Sequence, residues 1–98
     1  MLVHSVFFWL KPDLTPDQRE KFRAALESLR GIPAIREMHI GVPAPTDRPV
    51  VDRTYSVALT VILNDMEAHD AYQIHPLHKT FVADFASSWL KVVIYDAQ

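Results

Sequence analysis

The strands expected at the two ends of this chain are apolar on both faces. In VHSVFFWL (residues 3–10), His4, Val6, Phe8 and Leu10 alternate with Val3, Ser5, Phe7 and Trp9. In WLKVVIYD (residues 89–96), Val92 and Ile94 alternate with Val93 and Tyr95. Successive strand side chains point to opposite faces, so a sheet containing both segments has two apolar faces to bury. Helices cover one of them. The other would present Phe7, Trp9, Val93 and Tyr95 as a patch of the kind that marks an interface. Two such sheets packed face to face about a two-fold axis would bury it. The expectation is a homodimer with these four residues at its interface.

The segments between the two ends complete one domain over residues 1–98. Val3–Leu10 reads as a first strand, stopped by Pro12. TPDQ starts a helix, with Thr15 as N-cap, Pro16 at the first helical position and Gln18 closing a capping box. Phe22, Leu26 and Leu29 share one face of that helix. Gly31 is expected to supply a left-handed stop, and Pro33 blocks continuation. Further strands are expected over Ile35–Val42, Tyr55–Leu63 and Trp89–Tyr95, with a proline-rich loop over Pro43–Pro49. Asn64 or Asp65 caps a short helix through Tyr72, and Pro76 starts another that reaches about Ser87. The order β-α-β-β-α-β, its second helix broken at His75–Pro76, predicts an α+β fold. It is the ferredoxin-like split motif, a four-stranded antiparallel sheet with helices on one face.

Composition excludes several functions. The net charge is −2 with signs interspersed, which leaves no basic tract for nucleic acid and no polybasic patch for a membrane. The apolar MLVHSVFFWL is far shorter than the roughly 20 residues of a membrane span. It also lacks the basic flank and cleavage site of a signal peptide, and is expected to be strand. There is no cysteine, hence no thiolate chemistry. That fits a reducing compartment, and a cytoplasmic location is the expectation.

The densest chemistry lies in AYQIHPLHKTF (residues 71–81). His75 precedes a proline, which pushes it to extended geometry and makes it a cap for the following helix. His78 then falls in the first helical turn, where the positive end of the dipole disfavours imidazolium. A neutral imidazole with an ordinary pKa of about 6.5 is what a general base near neutrality requires. Tyr72 can serve as a neutral hydrogen-bond donor, or can bond to backbone freed by the helix break. His39 and His69 receive no role. His75 and His78 lack an obvious third ligand, so no metal site and no cofactor are expected.

The N-terminal strand (His4, Val6, Phe8, Lys11), the H-P-x-H step with Tyr72, His75, Pro76 and His78, and the closing Trp89, Lys91–Asp96 resemble the stress-responsive dimeric α/β-barrel (Dabb) family. The likeness spans nearly the whole chain. It implies a ferredoxin-like protomer forming a dimeric α/β barrel. The family's olivetolic acid cyclase branch closes a linear polyketide by intramolecular aldol condensation. The resemblance implies catalytic positions at His78 as base and Tyr72 as donor, with His4 close by. Arg23 stands where that branch has an apolar aromatic, which leaves the substrate open.

A pocket between sheet and helices would draw on every element. Val6 and Phe8 would come from the first strand, with Phe22 and Leu26 from the first helix. Leu59 and Val61 would come from the third strand. Phe81 and Phe85 would come from the last helix, and Val92 and Ile94 from the last strand. The same residues describe an ordinary core. Two readings therefore stand. One is a lyase, cyclase or isomerase type of enzyme, or a binder, taking a hydrophobic carbonyl-bearing small molecule. The other is a non-catalytic, stress-associated homodimer. A ligand-sized cavity beside His78 separates them.

Overall fold

The computed structural model describes residues 1–98. Its four strands are β1 (Leu2–Leu10), β2 (Ile35–Gly41), β3 (Val57–Leu63) and β4 (Trp89–Ala97). Its helices are α1 (Pro16–Ser28), α2 (Met66–Ile74) and α3 (Pro76–Phe85). The strands form one antiparallel sheet in the order β2-β3-β1-β4. This is the ferredoxin-like α+β fold. No helix is long and apolar enough to cross a membrane.

Alternation in β1 and β3 decides which residues enter the core. Leu2, His4, Val6, Phe8 and Leu10 are buried, as are Val57, Leu59, Val61 and Leu63, while every residue between them is half-exposed. Against this face α1 sets Phe22 and Leu26, fully sealed, and α3 sets Phe81. The rings of Phe8, Phe22, Phe81 and Trp89 meet at centroid distances of 5.2 to 6.3 Å, half of the pairs edge to face and half tilted. Thr15 begins α1 with the expected capping box: its hydroxyl accepts from the Gln18 amide and the Gln18 side chain accepts from the Thr15 amide.

Four local expectations are corrected. Gly31 does not adopt a left-handed conformation; no residue here has positive φ. It closes a 3-10 turn over Leu29–Gly31, and a Cβ on it would lie 3.0 Å from Leu77 Cδ1. Its smallness lets α3 approach. Tyr55 lies outside β3, which begins at Val57. Ser56 bridges the gap, its amide donating to the Phe8 carbonyl and its hydroxyl accepting from the Leu10 amide. The last helix stops at Phe85 and tightens into a 3-10 turn over Ala86–Ser88. Finally, β4 continues two residues past Tyr95, because its pairing with β1 holds to Val3–Ala97.

Candidate functional site

The helix break builds the site. Asp65 caps α2 by accepting from the Ala68 amide, and α2 carries His69 and Tyr72 three residues apart on one face. His75 then has extended geometry, φ −61° and ψ 139°. Its amide donates to the Tyr72 carbonyl, ending α2, and its Nδ1 accepts from the Leu77 amide, starting α3. One residue caps both helices. His75 is thereby committed to backbone, and His78 falls at the third position of α3, with its ring 4.9 Å from that of Tyr72.

Behind these two rings lies β1. The His4 ring is 5.5 Å from Tyr72 and 5.5 Å from His69, both edge to face. The rings thus run in series from His69 through His4 and Tyr72 to His78. His4 is only 2% exposed, and a buried imidazole needs polar partners. Asp96, directly opposite it in the β1–β4 register, supplies one: His4 Nδ1 lies 2.5 Å from Asp96 Oδ1. The other oxygen of that carboxylate lies 3.5 Å from His69 Nε2. One donor atom from each of His4, His69 and Asp96 lies within 4.8 Å of the others.

A cavity of about 330 Å³ opens beside Tyr72 and His78. That is at the lower end of the roughly 300–1,000 Å³ of ligand pockets. His4, Val6 and Phe8 form its floor together with Leu59, and Val92 and Ile94 extend the floor along β4. Phe81 and Val82 of α3, with Gln73 and Trp89, line its other sides. Phe22, Leu26, Val61 and Phe85, expected on the lining, are not there. The first three have no exposed surface, and Phe85 packs on Phe22 and Phe81 instead. The cavity follows β4, where the helix layer ends and leaves Val92 37% and Ile94 50% exposed. Leu29, Gln73, Val82 and Trp89 were not foreseen because their place depends on where that layer stops.

Two of the polar groups lining the cavity, Tyr72 and His78, have opposite shifts that favour the same outcome. Burial pushes the Tyr72 hydroxyl well above its ordinary value, so it remains a neutral donor. Burial is also the main cause holding His78 below its ordinary value. The neighbouring His4 and His69 act in the same direction, opposed by the backbone carbonyl of Gln73. Burial, rather than the helix dipole expected from the sequence, is the leading cause. No buried side-chain nitrogen or oxygen lacks a partner. His39 lies exposed on β2, near Glu37. His69, to which the sequence assigned nothing, proves largely buried at one end of the ring series, beside His4 and Asp96; its three-residue spacing from Tyr72 was the available signal.

On the sheet's other face, Phe7 and Tyr95 approach to 6.4 Å, Phe7 and Tyr55 to 5.1 Å, and Lys91 Nζ lies 4.5 Å over the Trp9 ring. Val93 and Tyr95 lie on this side of β4, opposite Phe7 and Ser5, and no helix covers them.

No curated protein matches the sequence. Among solved structures, a dimeric ferredoxin-like protein of unknown function from Thermobifida fusca is similar at 27% identity. The match covers 98% of this chain and 88% of that one, with a TM-score of 0.81. A Dabb family protein with a ferredoxin-like fold from Mesorhizobium loti matches at 23% identity, over 99% and 94% of the two chains, TM-score 0.81. A hydroxynitrile lyase from Passiflora edulis matches at 21% identity, over 98% and 90%, TM-score 0.81. The last two likenesses speak to fold. The family model of the stress responsive A/B barrel domain matches residues 2–98. With that match spanning the fold from β1 to β4, this chain belongs to the stress-responsive A/B barrel (Dabb) family.

Proposed function

We propose that this protein binds a hydrophobic, carbonyl-bearing small molecule in the cavity beneath α2 and α3 and acts on it as a cyclase or lyase. His78 is the general base, Tyr72 the hydrogen-bond donor, and His4 supports them. The observation that carries this reading is a cavity of about 330 Å³, mostly apolar, with Tyr72 and His78 among its few polar groups. A base must be neutral to accept a proton, and burial holds His78 in that form. It would take a proton from carbon activated by adjacent carbonyls. Tyr72, kept protonated, would donate to the oxygen on which the enolate charge develops. The apolar floor suits the hydrocarbon part of such a molecule.

The working unit in this reading is a homodimer joined through the bare face of the sheet, with Phe7, Trp9, Val93 and Tyr95 at its centre. The T. fusca protein, similar over nearly the whole chain, is described as dimeric, which supports it. The aromatic character of that face supports it independently.

The test compares His78→Ala with the parent protein on a panel of linear and aromatic carbonyl compounds. His78 is half-buried, and its contacts are the Tyr72 ring and the Gln73 carbonyl, so the variant should melt within a few degrees of the parent. It should bind the same compounds and turn none over. Unchanged turnover would overturn the assignment. A fall in melting temperature of ten degrees or more would make His78 a brace for α3 instead.

A further inference from the structure

The cluster at the β4 side of the cavity carries a different chemistry from the Tyr72–His78 pair. His4, His69 and Asp96 come from three separate elements, β1, α2 and β4. The Asp96 carboxylate is shared between the two imidazoles, Oδ1 toward His4 Nδ1 at 2.5 Å and Oδ2 toward His69 Nε2 at 3.5 Å.

His69 has a second contact that makes the arrangement unusual. Its other nitrogen, Nδ1, lies 3.1 Å from Asp70 Oδ1. With Asp70 at Nδ1, the ring presents Nε2 toward the Asp96 carboxylate, within the same small space as His4 Nδ1. A carboxylate holding the far nitrogen of a histidine is also how metal-ligating histidines are commonly oriented.

We propose that His4, His69 and Asp96 bind a divalent transition metal of the zinc type. Two imidazole nitrogens and one carboxylate oxygen suit zinc. Magnesium and calcium favour sites built from oxygen alone. Tetrahedral bonds of about 2.0–2.1 Å would set neighbouring donors about 3.3 Å apart. One donor atom from each of the three residues already lies within 4.8 Å of the others, so reaching that spacing takes shifts of at most about 1.5 Å, and Asp96, its side chain 40% exposed near the end of β4, has room to move. Three protein ligands leave a fourth position for water or another ligand, and of the three His4 also lines the cavity. The proposal goes beyond the general-base reading and does not depend on it.

The test titrates zinc chloride calorimetrically into the full chain stripped with chelator, near neutral pH and with no organic ligand. One zinc per chain at low micromolar affinity or better is expected, with magnesium much weaker. Cobalt(II) should give the intense visible bands of a four- or five-coordinate site. His69→Ala should weaken zinc at least about tenfold, and Asp70→Ala by about tenfold through loss of orientation. Asp96→Asn, nearly isosteric, provides a second ligand variant should His69→Ala fail to fold. His39→Ala, at an exposed position on β2, should change nothing. Absence of stoichiometric binding overturns the proposal. So does binding that survives both ligand variants, or binding abolished by the His39 change. Turnover by a zinc-free protein would leave the role of His78 standing whichever result is obtained.

Discussion

The two faces of the sheet are cut from the same strands and meet opposite fates. On the helix side, alternate residues of β1 and β3 are buried against Phe22, Leu26 and Phe81. On the other side, Phe7, Trp9 and Val93 are half-exposed, and Tyr95 is 65% exposed. Apolar content is similar on both. What differs is the covering layer, and the chain supplies only one. The lesson is that a strand apolar on both faces reports on the assembly as much as on the protomer.

That contrast can be broken from either side. Phe22→Ala, on the covered face, should lower stability by about 3–5 kcal/mol. Urea unfolding at two protein concentrations would check it, and a loss under 1 kcal/mol would mean that the ring is not in a packed core. Trp9→Glu, on the bare face, should leave the far-ultraviolet spectrum of the protomer and convert a dimer into a monomer or an aggregate. Sedimentation velocity reads this directly, and a well-folded dimer of the variant would remove the bare face as the interface.

A smaller effect comes from His78. Its folded pKa lies below the ordinary 6.5, so below pH 6.5 the unfolded chain takes up this proton more readily than the folded one. The stability it contributes is present above pH 6.5 and is lost as pH falls through the lower folded value. His78→Gln should therefore flatten part of the stability loss on acidification, measured by urea midpoints on either side of pH 6.5. An unchanged pH profile would mean that burial does not disfavour its charge. Smallest of all is Gly31→Ala. Since φ is not positive there, only the flexible end of Leu77 must give way, and the change should stay within about 1 kcal/mol of neutral. A larger loss would restore the left-handed reading.

Much of the fold was legible because its signals are local. Thr15, Pro16 and Gln18 spell a helix start within four residues, and His75–Pro76 spells a break in two. The same break placed His78 and Tyr72 together, since six residues across one corner cannot stray far. Asp96 was not legible. It follows the last apolar residue of its segment, so nothing in the alternation says that pairing with β1 continues to it. Its meaning depends on register with His4, a relation between the two ends of the domain. Cavity volume was equally hidden, because Phe22, Leu26 and Val61 look as suitable for lining as Val6 and Leu59 do. The difference lies in where the helix layer stops.

The pairing of β1 with β4 has a consequence for the order of events in the cell. His4 and Asp96 are separated by 92 positions, the widest span of any side-chain bond in the molecule. Chains are synthesised at roughly 5–20 residues per second, so β1 waits several seconds for the neighbour that completes this end of the site. Throughout that interval β1 exposes an unpaired edge, and both its aromatic rows lack their full cover. Newly made chains of this protein should therefore depend on holding factors until β4 has emerged. A copy cut short before β4 would present its most adhesive strand permanently, a substrate for proteolysis and not a partly active protein.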